Sequence, residues 1–222
     1  MNTKPEILAR LKLELQLVPG STFLTDIQLN SLIDDAHLWA GDQFEWPQLE
    51  KGSQLQGGTE VGVYYYEYPG EYKSDTVFRL EVDGKEYEKK SFPSWLKWTQ
   101  DNPQDKTKRI FTNYGRKWFM FPTPTVSALE TLVWGRIQAP AIDTNGYTIF
   151  SNSEASLNEA IMLKAKSVAL KKADKSAESK LAEDSATLIL SDGFGRIAAR
   201  SQMEQEEETQ AWTVPDFFRP LR

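Results

Sequence analysis

The sequence contains no cysteine and a single histidine, His37, among its 222 residues. The absence of cysteine excludes disulfides, thiolate nucleophiles and sites in which cysteine binds zinc or an iron–sulfur cluster. A catalytic histidine needs a nucleophile beside it and a third group that orients it, and the sequence suggests no such arrangement. We therefore expect His37 to lie on a helix face or at an interface, and we expect no catalytic site, metal or cofactor.

Long apolar runs and an excess of positive charge are lacking as well. The longest apolar stretches fall well short of the roughly 18 residues that a membrane-spanning helix needs, and the N-terminal stretch MNTKPEILARLKLELQLVPG has no continuous apolar core of a signal peptide. The formal net charge of −6 opposes broad attraction to nucleic-acid phosphates. We expect no membrane association, synthesis in the cytoplasm, and at most a loose encounter with DNA.

The first 47 residues have the pattern of two helices. Thr3 and Glu6 predict a capping box at the start of the first helix, and Thr25 and Gln28 predict another at the start of the second. Apolar residues then recur at helical spacing, and Pro47 marks the latest end of the second helix.

Residues 48–150 have the pattern of short strands separated by turns, because glycine and proline interrupt runs of aromatic and β-branched residues. Asp83-Gly84 predicts a two-residue hairpin turn, since glycine accepts the positive φ of a type I′ turn. The stretch KRIFTNYGRKWFMFPTPTVSALETLVWGRI contains three more strand candidates, with Pro122 and Pro124 between the last two.

Helical spacing returns in residues 151–203. Asp174 is predicted to cap a helix that ends at Asp192-Gly193, with a short helix after Gly195. An acidic spacer and a docking tail, residues 204–222, would follow. The predicted fold is α+β: a helical bundle body formed by residues 1–47 and 151–203, a long β-rich insertion at 48–150, and an extended C-terminal tail.

A group of basic residues surrounds Tyr114 and Trp118. Basic residues interleaved with aromatic ones can follow a nucleic-acid backbone while the bases stack. Asp101 and Asp105 lie nearby, so a solvated or subunit-contacting surface is the favoured interpretation. The candidates for contact with DNA or another subunit are Lys106, Lys108, Arg109, Arg116 and Lys117.

The C-terminal segment EQEEETQAWTVPDFFRPLR joins an acidic run to apolar side chains. Pro215 and Pro220 disfavour a helix there, and the segment alone cannot bury its aromatic rings. Aromatic residues and arginine dominate binding hot spots, so we interpret the segment as a docking peptide for a neighbouring subunit or partner. The predicted binding residues are Trp212, Val214, Phe217, Phe218 and Leu221.

Two other functions remain open at this point. The seven tryptophans could form a sugar-stacking platform of a carbohydrate-binding module, although packing in a core or interface is the simpler interpretation. The neighbouring carboxylates Asp34-Asp35 and Glu183-Asp184 could belong to a hydrolase. Adjacent residues on a helix point in different directions, however, so neither pair forms an acid–base couple by itself.

Four stretches, in order, resemble the head-to-tail connector, or adaptor, proteins of tailed bacteriophages: LNSLIDDAHLWAGDQFEW, YEYPGEYKSDTVFRLEVDGKEY, KWFMFPTPTVSALETLVWGRI and SLNEAIMLKAKSVALKKA. The resemblance covers residues 24 to about 173. The chain departs from the family pattern at Glu67-Tyr68 and Gly70-Glu71, where leucine or aspartate is usual.

The resemblance implies a structural virion protein rather than an enzyme, made in the host cytoplasm and located at the neck of the virion. Identical subunits would pack side by side into a ring of typically about twelve copies. The ring would dock under the portal protein, often through the C-terminal segment, contact tail-side proteins, and let duplex DNA pass transiently through its bore.

Overall fold

In the computed structural model, the described part of the chain comprises residues 1–17 and 23–211, with side chains described as far as residue 200. The chain forms two compact units. The helical unit consists of Met1–Phe44 and the residues from Ala141 onward, and the sheet unit is Glu45–Pro140. The fold is therefore α+β, as the sequence predicts. The predicted boundaries after residues 47, 150 and 203, which separate the helices, the β-rich insertion and the tail, remain predictions.

The described helices and strands, in chain order, are α1 (Lys4–Glu14), α2 (Asp26–Gln43), β1 (Glu50–Gln54), β2 (Tyr65–Glu67), β3 (Arg79–Val82), β4 (Lys85–Lys89), α3 (Phe92–Asp101), β5 (Ile110–Tyr114), β6 (Lys117–Phe121), β7 (Thr131–Arg136), α4 (Asn158–Lys172) and α5 (Ser176–Ala211). Short 3₁₀ turns, Pro47–Leu49 and Ala155–Leu157, precede β1 and α4.

In the helical unit, α4 packs against α1, α2 and α5. Lys166 Nζ lies 3.0 Å from Glu14 Oε2 on α1. Lys164 pairs with Glu183 on α5, and its ammonium lies 4.8 Å from the ring centre of Trp39 on α2. The buried faces supply an apolar interior: Ile7, Leu11, Leu29, Ile33, Ala36, Ile161, Ala165 and Leu190.

The predicted capping box of α2 is confirmed. The backbone N–H of Thr25 donates to Gln28 Oε1 at 2.9 Å, and Thr25 Oγ1 accepts from the backbone N–H of Gln28. The capping box predicted for α1 is wrong, because the Thr3 side chain makes no cap bond. Glu6 instead accepts a hydrogen bond from the backbone N–H of Asn2 at 2.7 Å.

The predicted helix end at Asp192-Gly193 is wrong, because α5 continues without a break to Ala211. Gly193 is buried within this helix, and a Cβ atom on it would lie 2.2 Å from Cδ2 of Leu157. The glycine thus serves close packing and does not end the helix. Asp174 does not cap α5 either, because the helix begins two residues later, at Ser176.

In the sheet unit, seven strands form one sheet in the order β1-β7-β3-β4-β5-β6-β2. All neighbouring pairs are antiparallel except β4 and β5. The predicted hairpin is confirmed between β3 and β4, with φ of 51° at Asp83 and 66° at Gly84. The three later strand candidates are confirmed as β5, β6 and β7, and Pro122 and Pro124 lie between the last two.

The helix α3 lies in a region where the sequence predicted only strands and turns. Parallel strands cannot be joined by a tight turn, so the connection from β4 to β5 must cross over. α3 is that crossover. On α3, the ring centres of Phe92 and Trp95 lie 5.8 and 5.7 Å from the ring centre of Phe119 on β6. The helix therefore covers one face of the sheet.

The core of the sheet unit is rich in aromatic side chains. Trp118, Phe111 and Tyr72 are fully buried there. Tyr72 packs against Gly135, where a Cβ atom would lie 2.4 Å from the Tyr72 ring. The Tyr72 hydroxyl donates to the backbone carbonyl of Lys51 at 2.6 Å, which secures the ring beside β1. Large rings therefore supply the buried area that a small β unit needs.

Candidate functional site

Several strand ends meet at one edge of the sheet. The register places Val82, where β3 ends, opposite Thr131, where β7 begins. It likewise places Ile110, where β5 begins, opposite Phe121, where β6 ends. The start of β4 lies beside them, because β4 follows β3 through the hairpin and runs parallel to β5.

A groove of about 200 Å³ lies at this edge, and we call it the strand-end groove. It is lined by Val82, Asp83, Lys85, Tyr87, Lys106, Arg109, Pro122, Thr123, Pro124, Thr125 and Leu129. A neighbouring depression shares Lys106 and the segment 122–125 with it. The turn between β6 and β7 therefore forms a wall of both.

The strand-end groove has an excess of positive charge. Lys85, Lys106 and Arg109 line it, whereas Asp83 is its one carboxylate. Asp83 is already paired, because its Oδ2 lies 3.5 Å from Lys85 Nζ. Lys106 is exposed and Arg109 is half-buried, and neither forms an ion pair with any carboxylate in the described part of the chain.

The other polar groups of the groove can donate hydrogen bonds. Burial raises the pKa of Tyr87, with the charge of Arg109 opposing that shift, so the phenol is protonated at neutral pH. Thr123 and Thr125 add two hydroxyls. Val82, Pro122 and Leu129 supply apolar surface. Such a groove suits an anionic group carried on an apolar stem.

The sheet does not keep the five basic candidates together. Lys106, Lys108 and Arg109 precede β5, whereas Arg116 and Lys117 lie at the turn that follows it, at the opposite end of the β5–β6 hairpin. Arg116 approaches the backbone carbonyl of Tyr72 at 3.5 Å, and Lys117 lies 4.7 Å from the ring centre of Tyr65.

Lys108 is also occupied elsewhere. Its ammonium lies 4.5 Å from the ring centre of Trp98 and 3.8 Å from Glu88 Oε2. Lys85, which the sequence did not single out, joins Lys106 and Arg109 in the groove instead. Lys85 lies about twenty residues before Lys106 in the sequence, so no local sequence pattern connects the two. The parallel pairing of β4 and β5 brings them to the same edge of the sheet.

The tryptophans do not form an open platform in the described part of the chain. Trp46 and Trp118 are fully buried, and Trp95 is 7% exposed. Trp98 and Trp134 lie under Lys108 and Arg79, as Trp39 lies under Lys164. Buried rings cannot stack on a sugar, and each of the three half-buried rings already has a cation over one face, so this geometry gives the carbohydrate-binding alternative no support.

One carboxylate of each pair considered for catalysis forms a structural ion pair. Asp34 Oδ1 accepts from Lys4 Nζ at 2.7 Å, which links α1 and α2. Glu183 pairs with Lys164. Among the described residues, no group of three or more histidine, aspartate or glutamate side chains is arranged to hold a metal ion.

His37 lies on the buried face of α2, in the interior of the helical unit, and is 1% exposed. Its Nε2 accepts a hydrogen bond from the backbone N–H of Ile149 at 3.1 Å. Burial lowers the pKa of His37 to about 4. The neutral ring thus joins α2 to the segment before α4.

The predicted docking residues Trp212, Val214, Phe217, Phe218 and Leu221 lie outside the residues that the structure describes. They remain predictions. Within the described residues, none of the helices combines the length and apolar character needed to cross a bilayer.

An α+β chain with an anion-suited groove, and with one carboxylate of each candidate catalytic pair held in an ion pair, has the features of an interaction protein. Residues 2–215 match the family model described as SU10 adaptor protein. The match covers nearly the whole chain, and the chain belongs to this family of bacteriophage structural adaptors. A comparison with curated proteins found no match.

Proposed function

We propose that this protein is the subunit of a head-to-tail adaptor ring that docks under the portal and joins the capsid to the tail. The observation that carries the proposal is the family match over residues 2–215, which includes both the helical unit and the sheet unit. The ring would consist of identical subunits, about twelve, at the neck of the virion.

The charge of the chain supports a passive role toward DNA. A net charge of −6 opposes broad, salt-driven capture of nucleic-acid phosphates. A ring wall of this kind would let duplex DNA pass through the bore without retaining it.

The C-terminal tail is the proposed portal-binding element. Trp212, Phe217 and Phe218 would insert into apolar pockets on the portal or an adjacent subunit, with Val214 and Leu221 filling the remaining space. Pro215 and Pro220 restrict the conformations of the unbound tail, so less conformational entropy is lost when it docks. Toward the portal, the preceding acidic run would act as a spacer or meet basic residues on the partner's rim, where it would influence association rate and register more than affinity.

The test is co-assembly of a chain lacking residues 209–222 with purified portal or with capsids that lack adaptor. We expect the truncated protein to fold but not attach. Trp212→Ala and Phe217→Ala should each weaken docking by about 2 kcal/mol or more, as truncation of a hot spot does. Thr213→Ala, between them and outside the predicted set, is the matched control.

Circular dichroism and mass photometry of the same samples separate docking from folding. If truncation unfolds or aggregates the free subunit while attachment is unchanged, the tail belongs to the subunit's own core and the docking proposal is wrong. If the full chain forms no ring alone or with portal, the adaptor function itself is wrong.

A further inference from the structure

The strand-end groove carries charge that its own side chains do not neutralise. Three cations and one carboxylate line it, and that carboxylate is paired with Lys85. This leaves Lys106 and Arg109 without a carboxylate partner in the described part of a chain whose net charge is −6. A half-buried guanidinium is best satisfied by a planar anion that accepts two parallel hydrogen bonds.

The dimensions favour a carboxylate side chain over a nucleic-acid backbone. A groove of about 200 Å³ accommodates one or two side chains. Duplex binding instead depends on many phosphate contacts, and the groove offers only two unpaired cations. Its apolar residues, Val82, Pro122 and Leu129, suit the methylene groups of glutamate.

The chain itself contains a matching acidic segment. Residues 204–208 read EQEEE, four glutamates in five positions, and the sequence has no other run so biased. This run belongs to the long helix α5 of the helical unit, whereas the groove belongs to the sheet unit. A contact between two different surfaces on successive copies is heterologous, and it builds a ring when the rotation closes.

We propose that the strand-end groove binds the acidic run 204–208 of a second copy of this chain through Arg109 and Lys106. The inference rests on the proposed ring and identifies one of its subunit contacts. Arg109 and Lys106 receive the glutamate carboxylates, while Tyr87, Thr123 and Thr125 donate further hydrogen bonds.

A direct test uses a synthetic peptide with the sequence of residues 201–211, SQMEQEEETQA. Fluorescence anisotropy should show salt-sensitive binding of this peptide to the full-length protein. Lys106→Gln combined with Arg109→Gln should weaken binding at least tenfold. A peptide with all four glutamates changed to glutamine should lose binding to the same extent.

Lys97→Gln is the matched control, because Lys97 is an exposed lysine of the same unit that does not line the groove. It should leave peptide affinity unchanged, and Arg109→Lys should retain part of it. The proposal is overturned if the wild-type protein does not bind the peptide, or if the doubly substituted protein binds it as well as wild type. Preferential occupation of the groove by duplex DNA or inorganic phosphate would overturn it too.

A measurement of ring assembly tests this subunit contact separately from the adaptor function. Mass photometry should show that Lys106→Glu with Arg109→Glu prevents ring formation by the full chain. Adding Glu206→Lys, Glu207→Lys and Glu208→Lys to the same chain should restore it. If wild type forms rings and the charge-reversed protein forms them equally well, this inference fails while the adaptor function stands. If wild type forms no ring even with portal, the adaptor function is wrong. The peptide experiment then still shows whether the strand-end groove binds the acidic run.

Discussion

Gly193 in α5 lies directly against Leu157, so closely that a Cβ atom on the glycine would be 2.2 Å from Leu157 Cδ2. Gly195, two residues later on the same helix, has no atom within 4 Å of the corresponding position. Both glycines have helical backbone, but one is tightly packed and the other faces open space. Alanine substitutions at the two positions therefore separate the effect of packing from that of helix propensity.

We expect Gly193→Ala to destabilise the protein by about 1–2 kcal/mol, because the cost of overpacking exceeds the gain in helix propensity. Gly195→Ala should stabilise the helix by up to about 1 kcal/mol. Urea unfolding followed by circular dichroism measures both. Equal stabilisation by the two substitutions would show that Leu157 moves aside at little cost.

His37 should make stability depend on pH between about 4 and 6.5. Its folded-state pKa of about 4 lies below the ordinary histidine pKa of 6.5, so the unfolded chain binds the proton more readily in this window. The free energy of unfolding should fall as the pH falls from 6.5 to 4, by roughly 3 kcal/mol from this group.

A His37→Gln variant provides the comparison, because its side chain does not titrate but can still accept from the backbone N–H of Ile149. The difference between the two pH profiles removes the contribution of carboxylates such as Glu14, whose pKa is lowered by its hydrogen bond and charge contact with Lys166. Parallel profiles between pH 4 and 6.5 would contradict the assigned role of His37.

The helical unit should fold without the sheet unit. Its buried residues, including Leu29, Ile33, Ile161 and Leu190, all belong to segments outside 45–140. Replacing residues 45–140 with a short Gly/Ser linker should therefore preserve the helical circular-dichroism signal and a cooperative thermal transition. Complete loss of helicity would show that the two units fold only together.

The free subunit should show no measurable affinity for duplex DNA at physiological salt. The net charge is negative, and the sheet separates Arg116 and Lys117 from Lys106 and Arg109. Fluorescence anisotropy with a labelled duplex of mixed sequence measures this. Submicromolar binding that is lost in Lys106→Gln with Arg109→Gln would instead assign these residues to DNA.

Local chemistry was sufficient for the features that depend on neighbours in the chain. Thr25 and Gln28 define the start of α2, and Asp83-Gly84 defines a hairpin, since each requires groups only one to three residues apart. Short runs of aromatic and β-branched residues between glycines and prolines likewise predicted β5, β6 and β7. The α+β class follows from these local signals together.

Tertiary structure decided the features that depend on distant partners. Gly193 resembles a helix end in sequence but lies within α5, where it leaves room for the side chain of Leu157. The helix α3 exists in a region where only short strands and turns were expected, because β4 and β5 are parallel and must be joined by a crossover. Strand pairing also divided the basic cluster and brought Lys85 to Lys106 and Arg109. Sequence spacing predicts which residues share a strand or helix, but which strand ends meet is determined by long-range pairing and burial that no local pattern contains.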